Sequence, residues 1–242
     1  MYKKKNVLIL AGGYGSRLFP ITKFIPKIFL QYRGTNLLDY HLKSIKNIRI
    51  KNIYINLLNV TSYKKYLNKY NNSKNIKFIF EKRPSGTAGI LRKILLLEKL
   101  DLLVIYSDTF FENDQGKIIK KITQLSKNQN ICISSSYSNN IINDKGVIIS
   151  NKNYVKKFIE KPNYEIKSKL YFSGLAYIPS NLNRKLLNFL NQNNKSGNVL
   201  DFSSEILSSK SFKIKTYKTE NEPLDFGNWR SLIKNKFRNL LK

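Results

Sequence analysis

The fold is decided by residues 10–18, which read LAGGYGSRL. The apolar run 7–10 predicts a buried strand, and the glycines that follow it predict a tight turn. Such a turn lets main-chain N–H groups approach phosphate oxygens closely. Arg17 and the downstream Lys27 supply two cations for a polyphosphate. The stretch therefore predicts a phosphate-binding turn at the end of the first strand of an α/β fold.

Two well-known phosphate-binding loops do not fit this stretch. The dinucleotide fingerprint G-x-G-x-x-G would need a glycine at the position of Leu18. The Walker A loop ends in Gly-Lys-Ser or Gly-Lys-Thr, and the stretch lacks that ending. A plain strand–helix turn would account for the glycines but not for Pro20, Thr22 and Pro26 beyond them. We therefore treat the stretch as a nucleotide-binding turn of another kind.

Apolar runs that alternate with helical patterns extend the α/β fold along the chain. In the first half we predict strands at 7–10, 53–58, 76–80, 102–106 and 131–135, with helices at 37–48, 63–70, 88–97 and 118–125. In the second half we predict strands at 147–149, 155–160, 171–178 and 212–217, with helices at 182–190, 200–207 and 229–240. This order predicts a Rossmann-like, mostly parallel mixed sheet flanked by helices. We expect one domain, 1–242, with a nucleotide-binding half at 1–135 and an acceptor-binding half at 136–242.

The composition fits a globular domain and excludes several classes of protein. The 242 residues are 41% apolar, and the single cysteine, Cys132, rules out an internal disulfide and a cysteine-based zinc site. Its apolar neighbours predict a buried, unreactive thiol. The lone His41 shares a helical face with leucines, which predicts a packed side chain and not a metal ligand or general base. No apolar run approaches the ~20 residues of a membrane helix, so we expect a cytoplasmic protein without a membrane partner.

The formal net charge of +29 raises the question of nucleic-acid binding. The excess is mostly lysine, spread evenly along the chain among many asparagines and isoleucines. We attribute it to coding bias on a solvated surface and do not expect nucleic acid to be a partner. A positive field would still attract phosphorylated substrates.

Asp108 is the first candidate for metal binding. It follows the predicted strand 102–106 and lies where open α/β sheets place their ligands. Phosphoryl-type transfer needs a cation that neutralises and aligns phosphate oxygens, and proteins bind Mg²⁺ through one or two carboxylates. We therefore expect Asp108 to be one of two carboxylates at a Mg²⁺ site.

Further motifs follow the glycine turn in a specific order. They are EKRPSGTAG at 81–89, SDT at 107–109, EKP at 160–162, SG at 173–174 and DFG at 225–227. With residues 10–18, this set resembles the sugar-phosphate nucleotidylyltransferases, among them the mannose-1-phosphate and heptose-1-phosphate guanylyltransferases. The resemblance covers nearly the whole chain and implies the single-domain nucleotidyltransferase fold of that family. It also implies an enzyme that joins a nucleoside triphosphate and a sugar 1-phosphate into a nucleotide sugar.

The resemblance implies roles for particular residues. The catalytic residues would be Arg17, Lys27 and Asp108. The nucleotide-binding residues would be Leu10, Ala11, Gly12, Gly13, Gly15, Ser16, Glu81, Gly86 and Thr87. The residues that bind the sugar phosphate would be Glu160, Lys161 and Gly174. The ligands of Mg²⁺ would be Asp108 and Asp225.

The implied reaction is in-line attack by an oxygen of the sugar 1-phosphate on the α-phosphorus of the nucleotide, with release of pyrophosphate. The attacking oxygen is already anionic at neutral pH, so the reaction needs no general base. Catalysis would come from positioning and charge neutralisation by Arg17, Lys27, Lys161 and the metal ion. A homo-oligomer is compatible with the sequence.

The base and the acceptor are less closely defined. Glu81 precedes Gly86 by five residues, where relatives carry a base-reading Gln or Glu, and a carboxylate suits the N1–H and N2–H₂ donors of guanine. Departures from the family pattern, such as Tyr106 and Ser107 before Asp108, leave the acceptor open. One alternative is a cytidylyl- or uridylyltransferase that acts on another phosphorylated acceptor. The other is a non-catalytic regulatory or RNA-binding protein with the same fold.

Overall fold

A computed structural model describes residues 4–58, 63–140, 142, 144–194 and 198–237 of the chain. The last residues of the helix predicted at 229–240 lie outside these ranges. The strands of the main sheet are β1 (Lys5–Leu10), β4 (Ile50–Leu58), β5 (Ile76–Glu81), β6 (Asp101–Tyr106), β8 (Ile131–Tyr137), β9 (Val147–Asn151), β10 (Tyr154–Ile159), β11 (Leu170–Ile178) and β12 (Ile214–Lys218). Two short ribbons accompany them, β2 (Gln31–Tyr32) with β3 (Thr35–Asn36) and β7 (Thr109–Phe110) with β13 (Leu224–Asp225).

The helices are α1 (Ile21–Phe24), α2 (Leu37–Ser44), α3 (Lys64–Leu67), α4 (Thr87–Leu97), α5 (Gln115–Ser126), α6 (Asn183–Asn193) and α7 (Trp229–Phe237). Helices α4 and α6 pack on one face of this sheet and α2 and α5 on the other, while α1 and α7 pack beside the short ribbons. Asn36 caps α2, because its side chain accepts a hydrogen bond of 2.8 Å from the Asp39 N–H. The helix predicted at 200–207 is a single π-helical turn, Ser203–Leu207.

Among the described residues, nine strands form one sheet in the order β5-β4-β1-β6-β11-β8-β12-β10-β9. Strands β5, β4, β1 and β6 are parallel to one another, whereas β11 runs antiparallel to both β6 and β8. The predicted α/β mixed sheet is therefore confirmed, with the parallel part concentrated in the first half of the chain. From β1 the chain crosses to β4, on one side of β1. From β6, which lies on the other side of β1, it continues in the opposite direction toward β8. Ligands of open α/β sheets bind at such a reversal of strand order.

The alternation of side chains along β1 explains how one strand supports two cores. Leu8 and Leu10 face the helices α4 and α6, while Val7 and Ile9 face α2 and α5. All four are buried, and burial of a side chain of this size contributes about 1.5–3 kcal/mol. Cys132 lies in the second core, where burial raises the pKa of its thiol to about 12, so the predicted inert thiol is confirmed. The rigid β1 thereby fixes the turn that follows it.

Candidate active site

A cleft of about 320 Å³ opens at the carboxyl ends of the parallel strands. In the register of the sheet, Leu10 at the end of β1 stands between Asn56 of β4 and Tyr106 of β6. The glycine turn, the end of β5 and the loop after β6 therefore meet at one edge. The cleft is lined by Leu10, Ala11, Gly12, Gly13, Gly15, Ser16, Arg17, Lys27, Asn56, Glu81, Pro84, Gly86, Thr87, Tyr106, Ser107, Asp108 and Gly227. These include every residue predicted to bind the nucleotide.

Asn56 fixes the start of the glycine turn. Its Oδ1 accepts a hydrogen bond of 2.9 Å from the Ala11 N–H, and its Nδ2 donates one of 3.1 Å to Glu81 Oε2. A side chain at Gly12 would overlap the Asn56 amide, so the close approach of Asn56 to the backbone requires a glycine here. Asn56 was not among the residues predicted from the sequence. A polar residue inside the apolar run 53–58 is the signal that could have identified it.

Glu81 is held by donors on both of its oxygens. Oε1 accepts hydrogen bonds from Ser85 Oγ at 2.5 Å and from Lys93 Nζ at 2.8 Å. Burial acts to raise the pKa of Glu81, but hydrogen bonds from Lys93, Ser85 and Asn56 outweigh it and bring that pKa below its usual value. The residue is therefore an ionised carboxylate at the wall of the cleft.

The loop before α4 is tied to the second half of the chain. Gly86 has φ of 84°, and a side chain there would overlap the Leu200 carbonyl group. Thr87 Oγ1 donates a hydrogen bond of 2.8 Å to Asp201 Oδ2 and accepts one of 2.6 Å from the Phe202 N–H. The two nucleotide-binding candidates on this loop are thus positioned by a segment more than a hundred residues away.

Asp108 lies between the two predicted phosphate-binding cations. Lys27 Nζ is 2.7 Å from Asp108 Oδ2. Burial acts to raise the pKa of Asp108, but the charges of Lys27 and Arg17 outweigh it and lower that pKa. The carboxylate is therefore ionised and able to bind a metal ion at neutral pH.

The β7–β13 ribbon brings Asp225 beside Asp108. Asp225 pairs with Thr109 in the ribbon, and the Phe226 N–H donates to the Asp108 carbonyl at 2.7 Å. The position of a Cβ atom built on Gly227 is 2.8 Å from Asp225 Oδ1, 3.6 Å from Asp108 Oδ2 and 3.7 Å from an Arg17 guanidinium nitrogen. Both carboxylates and the arginine therefore lie around one point beside Gly227, which lines the cleft.

The donor set of this pair fits Mg²⁺. The ion keeps several waters and is usually bound through one or two carboxylates together with substrate phosphates. Within the described residues, no group of three or more His, Cys, Asp or Glu side chains could hold a metal ion on its own. Asp108 and Asp225 supply the two carboxylates, so a substrate would have to supply phosphate oxygens.

A buried polar network holds the loop that carries Asp108. His41 is fully buried, and its Nε2 lies 3.2 Å from the Ser107 carbonyl oxygen, which can only accept. Gln115 Nε2 donates to His41 Nδ1 at 3.0 Å, while Gln115 Oε1 accepts from the Phe111 N–H at 3.1 Å. Burial lowers the pKa of His41 to about 4. His41 is therefore a neutral, packed residue, as predicted, and it fixes the loop from beneath.

The residues predicted to bind the sugar phosphate lie beyond the lining of the cleft. Lys161 Nζ is 3.5 Å from Glu160 Oε1, and burial and the charge of Asp201 raise the pKa of Glu160 despite the opposing charge of Lys161. Gly174 sits where the register of β11 shifts, and a side chain there would overlap Thr109 Oγ1. The structure thus places Gly174 in a β-bulge against the Asp108 loop, so close packing against Thr109 accounts for this glycine.

The comparison with known families agrees with this geometry. A family model described as nucleotidyl transferase matches residues 6–240. The chain belongs to the nucleotidyl transferase family. The predicted recognition of that family from the ordered motifs is therefore confirmed.

Among relatives of this nucleotidyl transferase, CTP:phosphoglutamine cytidylyltransferase of Campylobacter jejuni is 32% identical over 136 residues, which cover 50% of this chain and 50% of the relative. The D-glycero-alpha-D-manno-heptose 1-phosphate guanylyltransferase of the same species is 29% identical over 161 residues, which cover 64% of this chain and 68% of the relative. Against several other curated relatives, the chain spans about half of their length or less.

The fold of this nucleotidyl transferase is found in solved structures. The CTP:phosphocholine cytidylyltransferase of Streptococcus pneumoniae superimposes with a TM-score of 0.76 over 99% of this chain and 100% of that one, at 18% identity. At this identity the likeness supports the fold alone. Within the described residues, no helix has the length and apolar character needed to cross a membrane.

Proposed function

We propose that this nucleotidyl transferase transfers a nucleotidyl group, with GTP as the preferred donor, to a sugar 1-phosphate and releases pyrophosphate. The observation that carries the proposal is the convergence of Asp108, Asp225 and Arg17 on one point beside the glycine turn. Two carboxylates and a cation close to a glycine turn suit a triphosphate held by a divalent ion. The relatives named for guanylyl and cytidylyl transfer support the same class of reaction.

The chain's own residues would contribute binding, alignment and charge. The glycine turn would receive the phosphates through main-chain N–H groups, and Arg17 and Lys27 would neutralise them. Asp108 and Asp225 would hold Mg²⁺, which supplies charge neutralisation at the phosphate oxygens when bound. Lys161 would align the acceptor phosphate for in-line attack. The reaction requires no proton acceptor, since the attacking phosphate oxygen is already anionic.

GTP as the preferred donor is supported by the state of Glu81. An ionised carboxylate only accepts hydrogen bonds, so it favours a base edge that presents donors. Three hydrogen bonds already reach this carboxylate, so it keeps acceptor capacity for about one more donor, which the adjacent N1–H and N2–H₂ of guanine can supply. Cytosine also presents an amine, and the phosphoglutamine relative is named for CTP. Cytidylyl transfer to another phosphorylated acceptor is therefore the second candidate.

A matrix of four nucleoside triphosphates against several sugar 1-phosphates and phospho-alcohols tests the proposal, with pyrophosphate release as the readout. We expect turnover with GTP and a sugar 1-phosphate in the presence of Mg²⁺. Asp108→Asn should reduce kcat about a thousandfold, while Asp114→Asn, which removes a surface carboxylate paired with Lys117, should not. Turnover only with CTP and a phospho-alcohol would select the second candidate, and no pyrophosphate from any pair would refute both.

A further inference from the structure

Lys145 contacts one of the two carboxylates of the proposed metal site, although it belongs to none of the sequence motifs. Its Nζ is 3.4 Å from Asp225 Oδ2, and its side chain is 28% exposed. The same ammonium lies 4.4 Å from the centre of the Tyr171 ring, which holds the side chain against the sheet. The residue just precedes β9, so it reaches the site from the acceptor-binding half.

Each carboxylate of the pair therefore has its own ammonium. Lys27 contacts Asp108 at 2.7 Å from the nucleotide-binding half, and Lys145 contacts Asp225 from the other half. The second oxygen of Asp225 accepts from the Gly227 N–H at 2.6 Å.

The main chain joins Lys145 to the predicted acceptor-binding residues. The Lys161 N–H donates to the Lys145 carbonyl oxygen at 3.3 Å, and the Phe172 N–H donates to the Gly146 carbonyl oxygen at 2.9 Å. Lys161 has φ of 42°, a left-handed conformation that costs free energy in a non-glycine residue. The backbone of Lys145 is thus hydrogen-bonded directly to the segment that carries Lys161.

We infer that Lys145 binds the phosphate of the acceptor substrate, an inference that rests on the proposed function. A cation held between Asp108 and Asp225 would neutralise both carboxylates, and Asp225 would then attract the Lys145 ammonium less strongly. An acceptor phosphate monoester carries a charge of about −1.5 to −2 at neutral pH and enters beside Lys161. Lys145 then exchanges a carboxylate partner for a phosphate partner. A lysine that serves only as a counterion of Asp225 would make no such exchange.

Steady-state kinetics of pyrophosphate release distinguish the two roles. For Lys145→Gln we expect the KM for the sugar 1-phosphate to rise about tenfold to hundredfold, with the KM for the nucleotide within about twofold of wild type. Lys145→Arg should restore most of the acceptor affinity, since it keeps the charge. Lys157→Gln, which removes an equal charge from an exposed position on β10, should change neither constant. An unchanged acceptor KM in Lys145→Gln would overturn the inference.

A binding measurement separates this inference from the proposed function itself. Calorimetric titration with inorganic phosphate, in the presence of Mg²⁺ and nucleotide, should show weaker binding to Lys145→Gln than to wild type and to Lys157→Gln. Equal phosphate affinity in all three proteins would refute the role of Lys145, whatever the enzyme acts on. Absence of turnover in wild type, with phosphate binding still dependent on Lys145, would refute the proposed function and leave the phosphate site in place.

Discussion

The imidazole of His41 donates a hydrogen bond of 3.2 Å to the carbonyl oxygen of Ser107, the residue before Asp108. Both residues are buried, and no other donor in the network reaches that carbonyl oxygen as the structure describes it. The orientation of the loop that carries Asp108, the proposed metal ligand, therefore depends on a side chain that does not line the cleft.

Replacement of His41 should lower kcat more than a core truncation that lowers the free energy of unfolding by the same amount. In His41→Phe, the Ser107 carbonyl and the Gln115 amide lose a partner, so we expect about 2–4 kcal/mol of destabilisation and a kcat at least about tenfold lower. Leu38→Ala removes a buried side chain of the same helix at a cost of about 2–5 kcal/mol. Urea unfolding and pyrophosphate release measure both effects. An equal fall of kcat in Leu38→Ala would assign His41 a purely structural role.

His41 should also make the stability of the fold depend on pH. Burial lowers its pKa from 6.5 to about 4, so the unfolded chain binds a proton before the folded chain does. The stabilisation is complete above pH 6.5 and is lost as the pH falls toward 4. Between pH 7.5 and pH 5 we expect a loss of about 2 kcal/mol. Urea unfolding at both values should show this loss in wild type and a smaller one in His41→Gln. Parallel losses in the two proteins would contradict the assignment.

Two glycines with positive φ provide a matched test of the loop before α4. Gly86→Ala forces a methyl group into the Leu200 carbonyl, so we expect more than about 3 kcal/mol of destabilisation and weaker nucleotide binding. Gly34 has φ of 74°, but a methyl group there would meet nothing within 4 Å. Gly34→Ala should therefore cost only about 1 kcal/mol and leave the nucleotide KM unchanged. Equal destabilisation in the two variants would show that the backbone conformation, and not the Leu200 contact, requires glycine at position 86.

Exchange of one oxygen of Glu81 for nitrogen should alter the choice of base. Glu81→Gln offers one acceptor and one donor in place of two acceptors, so kcat/KM for GTP should fall about tenfold to hundredfold relative to UTP. Lys93→Gln keeps the carboxylate and removes only its ammonium partner. This control should lower activity with both nucleotides in similar proportion. A constant GTP-to-UTP ratio in Glu81→Gln would remove Glu81 from base selection.

The parallel half of the sheet could be predicted because its strands follow simple periodicity. The predicted strand 102–106 differs from Asp101–Tyr106 by a single residue. The helix predicted at 37–48 ends earlier, at Ser44, and the chain continues through turns. The apolar pattern extends past the point where the backbone hydrogen bonds of the helix stop. Periodicity therefore identifies an element better than it locates its end.

The residues that line the cleft were predicted where motifs are local and missed where contacts are distant. Residues 10–18 contain both the glycines and the arginine that suit phosphate binding, so the stretch alone predicts its role. The pairing of Asp225 with Asp108 was predicted from the family resemblance and not from physical reasoning. Asn56 could have been found as a polar residue within a buried strand. No local pattern identifies Lys145 or Gln115, because each acts through partners from other parts of the chain.

The β7–β13 ribbon also determines when the site is completed during synthesis. Asp225 is made only after all the described strands of the large sheet. A nascent or proteolytically shortened product that stops before Leu224 would retain the glycine turn and Asp108 but lack the partner carboxylate. Under the proposed function, such a fragment would bind nucleotide without turning it over and would compete with the intact enzyme.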